Sequence, residues 1–409
     1  MTTMTFLSWN IVIRPRTEPP LKLACVVHRF GAAIAGGSEG HCRAIARRLA
    51  ANHDVTVLTT CASDHVSWRN EFPAGESLDG GIRVRRFPVA RERALDRFGE
   101  ITERVFDASA SVDEEEQWFR ENGPDVPDLA VHLRQHGSAY DRVLFWAFRY
   151  ASTYFGVDAV PRGVLVPTAE HDPVIRFTAT GRLFTKPAGF VFLTPEEAAL
   201  VAAHCPAPLA PSCIIGTGLE PAEAPPGSSG VERPVLSAVE GPFLLYLGRV
   251  DPNKGCETLL RHYLRWSERA DLRVPLVLAG PANMPIPAHP SVKFLGYVDD
   301  AQRDALLASA SALVVPSPYE SLSIVLLEAW NRGTPALVNG GCDVLRGQAL
   351  RSDGALYYRT YDEFVHAVET LLRKRDVSRQ LGQNGLAYVE REYRWPAVMG
   401  KLEEFLASL

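Results

Sequence analysis

The sequence predicts an α/β protein made of two parallel-sheet units facing across a cleft. Two observations carry this. Strand, loop and helix patterns alternate along most of the chain, and parallel strands need helical crossovers of this kind. The alternation also breaks once, in a proline-rich stretch, and then restarts.

The first unit opens with Lys22–His28, a near-continuous apolar run that reads as a buried strand. The glycine-rich loop Gly31–Gly40 follows, then a helical pattern over His41–Ala51 and a second strand at Asp54–Thr60. Ile82–Phe87 reads as a further strand, residues 92–138 as helix-rich with a solvated acidic face at Asp113–Glu116. Strands resume at Arg142–Trp146, Gly163–Pro167 and Gly189–Leu193. The last runs into Thr194-Pro195-Glu196-Glu197, a helix start with proline in the first turn and carboxylates at the positive end.

Residues 206–242 hold eight prolines and five glycines and read as a linker or domain edge. Beyond it come strand Phe243–Leu247, helix Glu257–Trp266, strands Leu276–Ala279 and Val292–Leu295, helix Asp300–Ser309, strand Ala312–Val315, helix Ser323–Arg332 and strand Pro335–Val338. Helices Tyr361–Arg373 and Val377–Glu392 follow, and Trp395–Leu409 is an amphipathic tail. Two Rossmann-like domains facing across a cleft fit this order. Residues 1–20 read as a loose or disordered extension, residues 21–214 as the first domain and 215–393 as the second.

Composition excludes several classes. With 43 basic and 48 acidic side chains the net charge is −5, which argues against a nucleic-acid binder. The seven cysteines are odd in number and form no C-x-x-C pair, so a reducing, cytoplasmic setting is expected. No apolar run is long enough to span a bilayer, and Met1–Arg16 lacks the basic and small-residue flanks of a signal peptide.

Ligands of open α/β sheets bind beyond the carboxyl ends of the strands. Four segments there carry candidate chemistry. Gly36-Gly37-Ser38-Glu39 lets backbone approach a ligand at a helix start, although Glu39 would repel a tightly bound phosphate. Gly248-Arg249, with Lys254-Gly255 downstream, sets two cations in one loop, suited to a diphosphate. Tyr319-Glu320-Ser321-Leu322-Ser323 puts a glutamate, a poor N-cap, before a helix and offers the N–H groups of Ser321, Leu322 and Ser323 to an anion. Glu328 lies eight residues on, roughly 80° around that helix, and interrupts an apolar face, so it needs partners such as ligand hydroxyls. Thr168-Ala169-Glu170-His171-Asp172 is polar, and its His171 can donate to a sugar hydroxyl or handle a proton. His28 and Arg29, at the end of the first strand, invite a weaker version of the same reading. No metal-ligand spacing emerges.

In this order the segments resemble the retaining family 4 glycosyltransferases, which have the GT-B fold. The carrying motifs are Gly36-Gly37-Ser38-Glu39, Gly248-Arg249 with Lys254-Gly255, and Glu320-x7-Glu328 running into Gly333-Thr334-Pro335. The resemblance implies metal-independent transfer of a sugar, with retained configuration, from a UDP- or GDP-type nucleotide-sugar. The donor would lie on the C-terminal domain and a glycan or lipid-linked acceptor on the N-terminal one. No cofactor would be bound permanently. Arg249 and Lys254 would neutralise the diphosphate, Glu320 would contact the donor sugar, and Glu328 would hold the ribose. His171 would stand near the donor sugar, and Gly36 and Gly37 would let the loop approach it. The terminal helix, residues 394–409, would cross back onto the first domain. Cell-surface polysaccharide synthesis, with peripheral contact at the inner face of the membrane, is the implied setting. The competing readings are a nucleotide-sugar epimerase or hydrolase on the same fold, and a non-catalytic nucleotide-sugar-binding protein.

Overall fold

The computed structural model describes residues 19–34, 36–106, 109–222 and 241–409. Most of the expected N-terminal extension and the middle of the proline-rich stretch therefore lie outside the described residues.

The first sheet has eight strands: β1 (Lys22–Val26), β2 (Asp54–Thr60), β3 (Gly75–Asp79), β4 (Ile82–Phe87), β5 (Arg142–Trp146), β6 (Gly163–Val166), β7 (Gly189–Phe192) and β8 (Ser212–Ile214). Their order is β3-β4-β2-β1-β5-β6-β7-β8. All neighbours run parallel except the β3–β4 hairpin at the edge. The second sheet is parallel throughout, in the order β11-β10-β9-β12-β13-β14. Its strands are β9 (Leu244–Leu247), β10 (Leu276–Ala279), β11 (Val292–Gly296), β12 (Ala312–Val315), β13 (Ala336–Asn339) and β14 (Ala355–Tyr358). The strand order of each sheet reverses next to its first strand, which opens a crevice at the carboxyl ends of β1 and β9.

The central strands are buried on both faces, as their unbroken apolar runs require: β5, β6, β7, β9 and β10 are almost wholly enclosed. Each enclosed Val, Leu or Phe contributes roughly 1.5–3 kcal/mol. One apolar cluster runs without interruption from Leu23 and Val57 in the first sheet to Leu245 and Val338 in the second, so the two domains share a core.

The chain passes between domains twice. After the helix Arg375–Glu392, which lies along the second sheet's helices, Leu219 N–H donates to the Tyr393 carbonyl at 2.7 Å. The helix Trp395–Ser408 then lies on the first domain: Arg48 stacks 3.4 Å above the Trp395 ring, and Asn52 donates to Glu403 at 3.2 Å.

Several elements differ from the sequence expectation. The helix expected from His41 starts at Gly37, because the glycines that read as loop adopt helical backbone. Ser212–Ile214, inside the expected linker, is an edge strand paired with β7. β3 reads as loop because its sequence GESLD lacks an apolar face, and β14 because its apolar run is only four residues.

Candidate active site

The carboxyl ends of the two sheets enclose a cleft of about 550 Å³. The second domain contributes Arg249, Lys254, Glu320, Ser321, Leu322, Ser323 and Ile324 to its lining. The first contributes Gly36, Gly37, Glu39, Arg29, His65, Arg149, Thr168 and Glu170 among others.

On the second domain, the loop after β9 is built around Asp251. Its carboxylate accepts the Asn253 N–H at 2.9 Å and the Asn283 amide at 3.0 Å, and lies 3.3 Å from Arg249 Nε. Gly255 has φ +74°, and a Cβ there would fall 2.3 Å from the Pro316 carbonyl, so glycine alone closes the loop against β12. That contact carries Lys254 to the neighbouring loop, where its Nζ donates to Glu320 Oε1 at 3.0 Å. Burial on its own would lower the lysine's pKa, but the Glu320 charge and hydrogen bond raise it, so Lys254 stays charged.

The Glu320 loop is held by Asn339, whose amide donates to the Pro316 and Ser317 carbonyls at 3.2 and 3.3 Å. The helix begins at Ile324 and not at Ser323, which sits in left-handed backbone at φ +68° with a buried hydroxyl that has no partner among the described residues. Such backbone costs about 1–3 kcal/mol and gathers at functional sites. The N–H groups of the helix itself therefore start at Ile324, beyond the Ser321, Leu322 and Ser323 groups that the sequence suggests. Glu328 lies away from the cleft lining, 3.5 Å from Arg303, its carboxyl pushed up by burial against the pull of that arginine.

On the first domain, Gly36 abuts the Glu39 carboxylate, where a Cβ would fall 2.3 Å from an oxygen. Glu39 is 5 % exposed and meets Arg29, His28 Nε2 at 2.9 Å and Ser38 Oγ at 2.8 Å. Burial favours the neutral acid, yet His28 and Arg29 overcome it and hold this carboxyl well below the usual range. The expectation that Glu39 repels a phosphate is thus corrected: its charge is spent on Arg29. His28 stacks on Tyr150 at 3.7 Å.

His171 departs from expectation. Thr168 adopts φ +50°, Ala169 is buried, and the turn aims Thr168 and Glu170 into the cleft. His171 is half-exposed and not in the cleft's lining, 3.8 Å from Asp343 across the domain gap. Glu170 is the residue that sequence reasoning missed, although it lies in the polar cluster that reading singled out. Its carboxyl is raised by burial and by the Glu320 charge, with Lys254 opposing. Arg149, 3.1 Å from Asp172, was missed too, and taking the carboxyl end of every strand in turn, β5 included, would have found it. Among the described residues no cluster of three or more metal-ligating side chains occurs.

Residues 241–374 match the family model of the glycosyl transferases group 1. Over that segment the chain is similar to that family. The matched segment contains Arg249, Lys254 and Glu320, and so the whole second-domain wall of the cleft, together with Glu328 outside it. Over most of its length the chain is similar to an uncharacterized glycosyltransferase of Methanocaldococcus jannaschii, with 23 % identity across 92 % of this chain and 95 % of that protein. A phosphatidyl-myo-inositol mannosyltransferase of Mycolicibacterium smegmatis is 26 % identical across 76 % of this chain and 74 % of its own. An Anabaena protein solved in complex with UDP-glucose superposes with a TM-score of 0.67 over 95 % of this chain and 100 % of its own, at 15 % identity. At that identity the likeness establishes the fold, two facing α/β domains of GT-B type, and the segment similar to the group 1 family lies in the second.

Proposed function

We propose that the chain is a retaining, metal-independent glycosyltransferase of family 4 type, which moves a sugar from a UDP- or GDP-sugar to a glycan or lipid-linked acceptor in cell-surface polysaccharide synthesis. The observation that carries the reading is the pairing of Lys254 with Glu320 at the mouth of the second domain, facing Gly36, Gly37 and Glu170 across the cleft. The kinship with a phosphatidyl-myo-inositol mannosyltransferase supports a lipid-borne acceptor, and the shared fold of the UDP-glucose complex supports a nucleotide-sugar donor.

The chemistry follows from the lining. The bond from the anomeric carbon to the diphosphate breaks, and its electron pair stays on the leaving phosphate oxygen. Arg249, Lys254 and the helix start at Ile324 stabilise the charge that grows there. The sugar passes through an oxocarbenium-like state. The acceptor oxygen bonds to the same carbon from the same face, and its proton moves to the leaving phosphate. Glu320 holds the sugar's hydroxyls once Lys254 turns to the diphosphate, and Glu328, beside the cleft, exchanges Arg303 for the ribose hydroxyls. On the opposite wall Glu170 meets the acceptor. Among the described residues no helix is long and apolar enough to cross a membrane, so contact with a lipid acceptor would be peripheral.

The test is a panel of UDP- and GDP-sugars incubated with the purified chain and candidate glycan or lipid acceptors. Nucleoside diphosphate release that depends on acceptor, with the product anomer read by NMR, is expected. Release at the same rate without acceptor would mark a hydrolase, and an inverted anomer would overturn retention.

A further inference from the structure

Thr194 and Glu197 open the helix Pro195–His204 of the first domain, yet between them they touch both walls of the cleft. Both are fully enclosed, at 0 % and 1 % exposure. A glutamate in the third helical position ordinarily folds back onto its own cap. Glu197 reaches further and spans two strand ends: Oε1 accepts the Ala169 N–H after β6 at 2.7 Å, and Oε2 accepts the Leu193 N–H after β7 at 2.6 Å. Thr194 caps the helix by accepting the Glu197 N–H at 3.1 Å. The same hydroxyl donates to the Ser321 carbonyl at 3.1 Å, across the domain gap and 127 residues away in sequence.

Capping alone does not require this arrangement, since an aspartate at position 194 would cap equally well but has no proton to offer Ser321. Together they form one path: the Ser321 carbonyl, the Thr194 hydroxyl, the Glu197 N–H and, along that residue's own side chain, the Glu197 carboxyl that accepts the Ala169 N–H. It starts one residue from Glu320 and ends one residue from Glu170, the carboxylates that face each other over Lys254.

We infer that Thr194 and Glu197 are positioning residues that fix the donor loop at Glu320 against the acceptor loop at Glu170, and so set the approach of the acceptor hydroxyl to the donor sugar. This rests on the glycosyltransferase reading. The residues touch no substrate and act through the loops that do. A misplacement of about 1 Å at such a distance costs on the order of 10²-fold in rate.

The experiment compares T194V, T194S and E197Q, all close to the native side chains in volume, in the full-length chain. Hydrogen exchange without ligand is the first readout. T194V and E197Q should each speed exchange about tenfold or more in both segments, 166–172 and 317–324, while T194S, which keeps the hydroxyl, should match the wild type. Turnover is the second. T194V should lose about 10²-fold in kcat with the donor KM within about twofold, and T194S should restore it. Unchanged exchange at 317–324 in E197Q, or wild-type kcat in folded T194V, would overturn the inference. If the wild-type chain turns over no nucleotide-sugar, the glycosyltransferase reading falls, while the exchange data still decide whether the two loops are coupled. Should T194V not fold, E197Q with T194S gives the same decision.

Discussion

The two walls of the cleft are built on different principles. The second-domain wall is made of short contiguous pieces: Arg249 and Lys254 within six residues of one another, Glu320 to Ile324 in a single turn. Its key ion pair, Lys254 with Glu320, is partly open to solvent at 32 % and 16 % side-chain exposure. The first-domain wall is gathered from distant strand ends, at Arg29, Glu39, His65, Arg149 and Glu170. Its central charges are already buried against each other, Glu39 with Arg29 and His28. A wall with an accessible pair can exchange protein partners for a ligand; a wall with buried pairs holds its shape. The difference assigns charge neutralisation to one side and shape to the other, and it can be broken by mutating each.

The largest expected effect is on the first-domain wall. Glu39→Ala leaves the buried Arg29 without its partner and should destabilise the fold by about 3–5 kcal/mol. Lys254→Ala should leave stability within about 1 kcal/mol, because its pair is partly solvated. Urea unfolding of the two variants measures both, and equal losses would erase the contrast.

Turnover should show the reverse. Lys254→Ala should cost roughly 2–4 kcal/mol in activation free energy, more in kcat than in donor KM, because the leaving charge grows as the bond breaks. The double variant with Arg249→Ala should lose less than the sum of the singles, since in the proposed reaction both act on one diphosphate. Steady-state kinetics of the three enzymes decide it, and wild-type rates throughout would remove the donor from this wall.

A third effect is acid sensitivity of the first domain. His41 accepts from Trp146 Nε1 at 3.0 Å and donates to the Gly216 carbonyl at 2.9 Å. Burial lowers its pKa to about 4, against the pull of the Gly216 bond. A histidine pKa depressed by folding means that the unfolded chain takes up the proton first. Its contribution is complete above about pH 6.5 and falls as pH drops toward 4, by roughly 1.4 kcal/mol per unit in that window. Urea midpoints at pH 7.5 and 5 should differ in the wild type and differ less in His41→Asn. A pH-independent wild type would contradict the neutral, buried histidine.

The smallest effect belongs to His171. Its place outside the cleft lining predicts that His171→Ala changes turnover by less than about threefold and stability by less than about 0.5 kcal/mol. A loss comparable to that of Lys254→Ala would return this histidine to the site.

The same contrast explains what the sequence discloses. The second wall was legible because its residues are neighbours in sequence: a cation loop after a strand and a glutamate before a helix are visible without the fold. The first wall was legible in pieces, at Gly36, Gly37 and Glu39 in the glycine loop, at Arg29 after the first strand, and in the Thr168–Asp172 cluster. Arg149 and His65 become site residues because β5 and the segment after β2 end beside β1, a consequence of strand order and not of local pattern. Glu170 and His171 are adjacent, and only the left-handed turn at Thr168 decides which faces inward. The sheets themselves were legible from apolar runs, whereas β3 and β8, polar or very short edge strands, were not.

The most direct measurement is a calorimetric titration of the purified chain with UDP and with GDP, with EDTA present. Saturable one-to-one binding of one of the two is predicted, displaced by the corresponding nucleotide-sugar and weakened in Glu328→Ala. Binding of neither nucleotide, or binding that requires added magnesium or manganese, would contradict a cleft in which Arg249 and Lys254 carry the diphosphate.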